Sequence, residues 1–420
     1  MVIDEGIDVT AADFRGKIVA TYTSTCKTTT ATTAPTDAMP SFADVKSAYI
    51  AQLQIPDDSC TLTPSISAKT DPFATLDNLR SSWNDMLREQ KFGNQVFSEA
   101  EFDALDAAFK AEFVDFPDHG TTTAGTVAHE NPDVRLVLVE RTLEDDATRV
   151  TDFVCLEQAA LDQTVALLSD PDVRDAYAHA PVSQYTIDFL KIVSTFNVGL
   201  INESYGTASR TEVDMLQQMN GCAAVDSSAY FAVMHDVHAA RLAAQPPLPY
   251  LAVQSAGNDG QEIDSGADDF DCIPEDTRRL LVGSTKPDGA RSTFSNFGAC
   301  VNVVAPGERV IAPYAGGWLL PVQGTSYSAP FVTRALSMTA TEPFDPAAAR
   351  AAILARLGGP PTLSFDDVPR DFFYLPDGVA AASALTVAAA PTSSRAALVR
   401  FDVERALAPV RALRTVLQRR

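Results

Sequence analysis

The sequence predicts an α/β fold, a mainly parallel sheet with helices on both faces. Short apolar runs alternate with segments of helical periodicity along much of the chain, the pattern of strands joined by crossover helices. Hydrophobic residues make up 46% and charged residues 21% of the 420, a globular rather than a disordered composition. That length allows up to three domains at about 150 residues each, or one large α/β domain with insertions.

The elements follow in order. Met1-Val2-Ile3 reads as a strand, Asp4-Glu5-Gly6 as a turn, and Lys17-Ile18-Val19-Ala20 as a second short strand. A Thr-rich loop spans Thr28 to Thr36, and Phe102, Leu105, Phe109 and Phe113 recur at helical spacing, so 26–116 reads as a mostly helical insertion. Val134 to Val139 is a buried strand; Val154 to Leu168 is helical, a Pro/Asp loop follows, and Tyr185 to Thr195 is a helix. Next come strand Val198 to Ile201, a polar stretch, helix Tyr230 to Ala244 and strand Tyr250 to Gln254. Leu280 to Gly283 and Val301 to Val304 add strands, and Tyr327 to Thr341 a long helix. Smaller insertions are expected at about 141–182 and 207–229, with the main domain over 1–390. A linker and an Arg-bearing amphipathic helix follow in 391–420, and no internal repeat is visible.

Charge narrows the partners. The chain carries 55 acidic and 32 basic residues, a net of −23, and no Lys/Arg stripe interleaved with aromatics. That field repels polyanions, so no nucleic acid is expected. The longest near-continuous apolar stretch, Gly378 to Ala390, is Ala-rich and falls well short of the roughly 18 residues a membrane span needs, so none is predicted. Met1 to Asp8 has neither the basic nor the apolar region of a secretory signal, and none is expected on this chain.

The six cysteines, Cys26, Cys60, Cys155, Cys222, Cys272 and Cys300, form no CxxC pair. Zinc-site spacing is therefore missing. An even number allows three disulfides among 15 full pairings, and buried free thiols in a reducing compartment are the alternative.

Five histidines limit any imidazole chemistry. His179 lies in a polar segment; His235 and His238 are three apart on a helix but lack the Glu and third ligand of a HExxH site, so a solvated face accounts for them. His119 differs, because His119-Gly120-Thr121-Thr122-Thr123-Ala124-Gly125 puts an imidazole at the head of a small-residue run able to start a tightly packed helix. Such a position suits a base.

In Gln323-Gly324-Thr325-Ser326-Tyr327-Ser328-Ala329-Pro330, glycine permits a sharp turn into a helix and Pro330 suits its first turn. Ser326 would expose its hydroxyl where unpaired backbone N–H groups favour a developing oxyanion, although a simple Ser N-cap fits the same octapeptide. Ser328 stands where the GxSxG elbow has its last glycine, so that elbow is absent. Ser255-Ala256-Gly257-Asn258-Asp259-Gly260 follows a buried strand and places an amide at the sheet's carboxyl edge; alone it is an ordinary Asx turn.

Together these residues resemble the subtilisin-like serine proteases, the subtilases, in the style of the proteinase K and aqualysin branch. Val2 to Asp8 resembles the family's aspartate motif, His119-Gly120-Thr121 with Ala124-Gly125 its histidine motif, Ala256-Gly257-Asn258 its oxyanion asparagine and Gly324 to Pro330 its serine motif. Ser292 to Gly298 running into Val304 to Gly307, and Ile201 to Gly206, resemble two further segments, the latter a wall of the primary specificity pocket. The Asp, His, Ser order is that of subtilisin.

The resemblance implies a three-layer subtilisin-like sandwich and a serine endopeptidase in which Ser326 attacks, His119 is the base, Asp4 orients it and Asn258 helps hold the oxyanion. Substrate would lie along Ser204, Tyr205, Gly206, Ser255, Ala256 and Gly257, with a second edge near Ser183-Gln184-Tyr185. The alternative is a catalytically impaired subtilase-fold protein that binds peptides. Two departures stand out. Glu5 replaces the usual Ser or Thr, as an acidic residue does in kexin-like relatives, and Thr122-Thr123 replace a commoner His-Val, read as a change in packing behind the base. A Cys272–Cys300 disulfide is implied by the proteinase K-like style, Cys26 with Cys60 is a weaker expectation, and Cys155–Cys222 remains. Disulfides place the chain in an extracellular or periplasmic compartment, with peptide substrates and a monomeric state. The chemistry needs no cofactor. Structural Ca²⁺ on Asp264, Asp268, Asp269 and Asp271 is the competing reading to a solvated acidic loop.

Overall fold

The computed structural model describes residues 1–26, 41–56, 59–66, 84, 119–143, 155–205, 209–245, 248–266, 268–269, 272–273, 276–286, 289–308, 310–340 and 343–355. The helical pattern at 102–113 and the C-terminal segment 391–420 lie outside these residues.

An eight-stranded sheet forms the centre, in the order β3-β2-β4-β1-β5-β6-β7-β8. Its strands are β1 (Val2–Asp4), β2 (Ile18–Cys26), β3 (Cys60–Pro64), β4 (Leu136–Leu143), β5 (Leu200–Glu203), β6 (Leu251–Ser255), β7 (Arg279–Thr285) and β8 (Val303–Pro306). All pair in parallel except β3, which runs antiparallel to β2. The order reverses between β1 and β5, so the crevice at their carboxyl ends is where ligands bind in sheets of this type.

Strand alternation separates two layers. Val2, Leu136 and Leu138 pack with Ala124 and Val127 of α2 (His119–Ala128), whereas Ile3, Val137 and Val139 pack with Ile192 and Val193 of α5 (Gln184–Thr195) on the opposite face. On the α2 side, Leu251, Val253, Leu280 and Val282 meet Ala329, Val332 and Leu336 of α8 (Thr325–Thr339) and Ile353 of α9 (Pro346–Ala355). The sandwich is the predicted α/β architecture.

The segments predicted as separate insertions converge. Tyr49 of α1 (Phe42–Leu53), Leu161 of α3 (Gln158–Leu168), Val173 of α4 (Pro171–Ala178), Val213 of α6 (Arg210–Met219) and Phe231 of α7 (Ser228–Ala244) share one apolar cluster. The Pro/Asp loop is therefore corrected to a helix, because Asp170 accepts from the Asp172 and Val173 N–H groups as N-cap and Pro171 occupies the first turn. The polar stretch after β5 holds α6, which buries Val213 and Gln217 and leaves Asp214, Met215, Gln218 and Met219 exposed. Within 26–116 the described residues include helix α1 and an edge strand, β3. A hairpin of β9 (Val310–Pro313) and β10 (Leu319–Val322) turns through Gly316 and Gly317, both at positive φ.

All six cysteines pair as expected: Cys26–Cys60, Cys155–Cys222 and Cys272–Cys300. The first joins β2 to β3 across a ladder pair. Among the described residues no helix is long and apolar enough to cross a membrane.

Candidate active site

Asp4 ends β1 at the point where the strand order reverses, fully buried. His119 opens α2, which crosses that strand end. The Gly120 and Thr121 N–H groups, orphan donors of the first helical turn, donate to Glu5 O at 2.7 Å and Gly6 O at 3.1 Å and hold the helix start on the turn after β1. Gly120 has to be glycine here, since a Cβ would lie 2.8 Å from Glu5 O and 3.0 Å from Asp4 Cβ.

The Asp4 carboxylate is surrounded by donors. Its Oδ1 accepts from the Glu5 N–H at 2.8 Å and lies 2.7 Å from His119 Nδ1, and its Oδ2 accepts from Thr123 Oγ1 at 2.9 Å. Thr123 sits one turn along α2 from His119, so helix geometry directs both side chains to one carboxylate. The expectation that Thr123 only alters packing is corrected: its hydroxyl binds Asp4 directly.

Burial opposes the charged imidazole of His119, but the Asp4 charge, the hydrogen bond to it and the Glu5 charge outweigh this and raise its pKa. Burial first, and the Asp4 charge second, push Glu5 up to about 7. The half-buried Tyr327 ring packs against the His119 ring at 5.5 Å between centroids, which brings the start of α8 to the imidazole; Ser326, one residue earlier in the chain, is half-buried.

Gly324 turns the chain into α8 at φ +148°, and the helix begins at Thr325. Pro330, expected in the first turn, lies in the second. Asn258, in the loop after β6, accepts from Thr325 N at 2.8 Å and Thr325 Oγ1 at 3.0 Å through its Oδ1, so its donor group is Nδ2. Thr325 Oγ1 in turn accepts from Gly257 N at 3.2 Å. Gly257 sits at φ +97°, and Asn296 Oδ1 fixes the rest of the loop by accepting from Asp259 N and Gln261 N, each at 3.0 Å. Beneath it, Ala256 packs with Ile263, Leu281 and the Cys272–Cys300 pair.

The expected substrate positions divide. Ser204 is buried, its hydroxyl accepting from Asn202 Nδ2 at 2.9 Å, and Tyr205 carries the Arg141 guanidinium 4.1 Å above its ring. Ser255 and Ala256 are buried at the end of β6, and Gly206 lies outside the described residues. Ser183 caps α5 by accepting from Thr186 N, and Gln184 and Tyr185 form the first turn of that helix. A helix start offers no strand edge, so the second pairing edge expected there is corrected.

The remaining titratable candidates have local partners. His235 Nδ1 lies 3.3 Å from Asp236 Oδ1, His238 Nε2 lies 3.2 Å from Tyr177 Oη, and both rings are half-buried rather than on a solvated face. Asp264 accepts from Ala299 N, and Asp268 faces Ser265 and Arg210. Asp271 lies outside the described residues, and among those described no three His, Cys, Asp or Glu side chains are grouped to hold a metal ion.

Sequence reasoning missed Thr123 and Thr325 as organisers of Asp4 and Asn258. A hydroxyl one turn after the base, and another just before the nucleophile candidate, were the available signals.

Known proteins share parts of this chain. Subtilisin-like protease 1 of Trichophyton rubrum is 35% identical over 83 residues, 20% of this chain and 15% of that protein. Alkaline serine exoprotease A of Vibrio alginolyticus is 34% identical over 113 residues, 25% of this chain and 21% of that protein. The alignments thus span about a fifth or less of these relatives' lengths. A solved cold adapted subtilisin-like serine proteinase aligns over 84% of this chain and 80% of its own at 17% identity and TM-score 0.35. The S41 psychrophilic protease aligns over 86% and 84% at 12% identity and TM-score 0.39. The family model for the subtilases (peptidase S8) matches residues 1–366, a span that holds Asp4, His119, Asn258 and Ser326 in one stretch, and the chain belongs to the subtilase family.

Proposed function

We propose that the chain is a serine endopeptidase that cleaves peptide bonds through an acyl-enzyme. The observation that carries this reading is the 2.7 Å contact between His119 Nδ1 and the buried Asp4 carboxylate, with the start of α8 packed on the same imidazole through Tyr327. Asp4 engages Nδ1, so Nε2 is the nitrogen left to take the Ser326 proton. Ser326 Oγ attacks the substrate carbonyl; His119 then gives the proton to the leaving amine. Water, deprotonated by the same imidazole, releases the acyl group.

Charge on the carbonyl oxygen is met by Asn258 Nδ2 and the Ser326 N–H at the positive end of α8. Peptide or protein substrate pairs along the ends of β5 and β6, from Ser204 to Gly206 and Ser255 to Gly257. The chemistry draws on side chains and backbone alone. Three disulfides favour an oxidising compartment, extracellular or periplasmic, and the reading takes the protein as a monomer.

The deciding experiment is labelling of the purified chain by a fluorophosphonate near pH 8, alongside Ser326→Ala. Fast labelling lost in the variant is the expected result. A folded chain that takes no label overturns the proposal and favours the peptide-binding reading.

A further inference from the structure

The helices that begin at His119 and at Thr325 are joined again at the far end of the first, by a side chain of the second. Arg334, on α8 and nearly buried, donates from Nε to His129 O at 2.7 Å and from Nη2 to Glu130 O at 3.3 Å. These carbonyls follow directly after α2. Glu130 holds φ +45°, a left-handed conformation costly without glycine, which ends the helix and turns its carbonyl toward α8. Four successive carbonyls here have side-chain donors: Val127 O from Asn131 Nδ2, Ala128 O from Lys17 Nζ, and His129 O and Glu130 O from Arg334.

Lys17 and Arg334 both place a cation at the negative end of α2 and so suit its dipole. They differ in where they come from. Lys17 precedes β2 and ties α2 to the sheet, whereas Arg334 ties α2 to the helix that carries Ser326. Asn131 Nδ2 adds a second link to α8 by donating to Ser337 Oγ at 2.7 Å, and Ser337 Oγ donates back to Arg334 O. A planar guanidinium with two donors on consecutive carbonyls fixes both the slide and the rotation of one helix along the other. Since α2 begins at His119 and Ser326 is the second residue of α8, fixing the two helices in register fixes the imidazole against the hydroxyl.

We propose that Arg334 is a positioning residue for the reaction: a two-pronged clamp on the carboxyl end of α2 that holds His119 in reach of Ser326. The proposal rests on the peptidase reading for its kinetic consequence and on geometry alone for the clamp. Misplacement of a catalytic group by about 1 Å costs on the order of 10²-fold in rate, so a clamp of this kind is felt at the chemistry.

The test compares Arg334→Lys and Arg334→Met with Lys17→Met on the full chain, at a temperature where each is folded. Fluorophosphonate labelling rate and peptide kcat and KM are measured with thermal melting, together with the ¹⁵N chemical shifts of the His119 imidazole. Expected are a fall of about 10²-fold in labelling rate and kcat for Arg334→Met, with KM little changed. A smaller fall is expected for Arg334→Lys, which keeps the charge but not the planar fork, and an unchanged rate with a lowered melting temperature for Lys17→Met. Equal rates in Arg334→Lys, Lys17→Met and the parent overturn the clamp, as do equal losses in the two variants. Failure of Arg334→Lys to fold assigns the residue to stability alone and also overturns it. A parent chain that takes no label refutes the peptidase reading instead; the clamp then stands or falls on the His119 shifts, moved by Arg334→Lys and not by Lys17→Met.

Discussion

Thr123 Oγ1 donates to Asp4 Oδ2 at 2.9 Å, so α2 supplies both the imidazole and a hydroxyl to one buried carboxylate. A hydrogen bond to a charged group contributes about 1.5–3 kcal/mol net, and leaving the carboxylate oxygen unsatisfied in a closed site costs comparably. Thr123→Val keeps the shape and removes the donor. Its expected effects are lower unfolding stability and a His119 titration moved to higher pH, because a less satisfied carboxylate holds the imidazolium more tightly. Thr123→Ser should restore both, and NMR titration of the His119 ring in the three proteins checks this.

The Asp4 contact sets the pH dependence. With its pKa raised, His119 stays protonated to higher pH than a free imidazole and is unavailable as a base until it loses that proton. Peptide kcat/KM should therefore rise with pH along an acid limb whose midpoint lies above the ordinary histidine value. The stability contribution runs the other way: it is complete below the unfolded-state pKa and is lost as pH rises through the folded one. Asp4→Asn should lower kcat/KM by about 10⁴-fold, the loss found when a triad carboxylate becomes an amide and the wrong tautomer is held.

Glu5 tunes the same limb. Its carboxylate raises the His119 pKa, so Glu5→Gln should shift the acid limb to lower pH, most clearly where Glu5 is ionised, above its own pKa of about 7. The folded state holds the Glu5 proton to about 7 against an ordinary glutamate value of 4.5, so ionising it lowers stability as pH climbs through that window. Glu5→Gln should thus stabilise the protein at pH 8 and leave it unchanged at pH 4. Denaturant melts at the two pH values decide it, and a larger gain at pH 4 would contradict the assignment.

Asn258 and Thr325 form a pair whose roles differ. Removing the amide in Asn258→Ala should lower kcat by about 10²–10³-fold with little change in KM, because the donor acts on charge present only in the transition state. Thr325→Ala removes the hydroxyl but keeps the backbone N–H that also holds Asn258 Oδ1. A smaller loss of the same kind is expected. Equal losses in kcat and 1/KM would show that the amide binds substrate in the ground state.

Much of this site was legible because its residues sit on element boundaries that local chemistry dictates. Asp4 closes an apolar run, His119 heads a small-residue helix, and Gly324 marks the turn into α8, so each position follows from strand ends and helix starts. What the sequence hid is of another kind. Arg334 lies inside a helix among Thr and Ala, and nothing local says that its partners are backbone carbonyls more than 200 positions earlier. The helix Pro171–Ala178 was concealed because Asp and Pro serve both loops and helix starts, and burial of Val173 in a shared cluster decides between them. Thr123 was read as packing, since a buried threonine on a helix usually bonds its own backbone; only the approach of β1 gives its hydroxyl a carboxylate.

The Cys155–Cys222 disulfide closes a separation of 67 residues within the helical layer and outside the proposed chemistry. It joins the segment before α3 to the turn after α6. There Gln217 already accepts from Leu156 N at 3.0 Å and donates to Leu156 O at 3.3 Å, with Leu156 and Val213 in the same core. A crosslink over such a loop stabilises by about 2–4 kcal/mol, largely by constraining the unfolded chain. The double variant Cys155→Ser/Cys222→Ser should therefore shift the denaturant midpoint downward by a corresponding amount. Its fluorophosphonate labelling rate under native conditions should match the parent, because Asp4, His119 and the start of α8 are held by other contacts. A variant with unchanged stability and a reduced labelling rate would reverse this assignment and make the helical layer part of the active site's support.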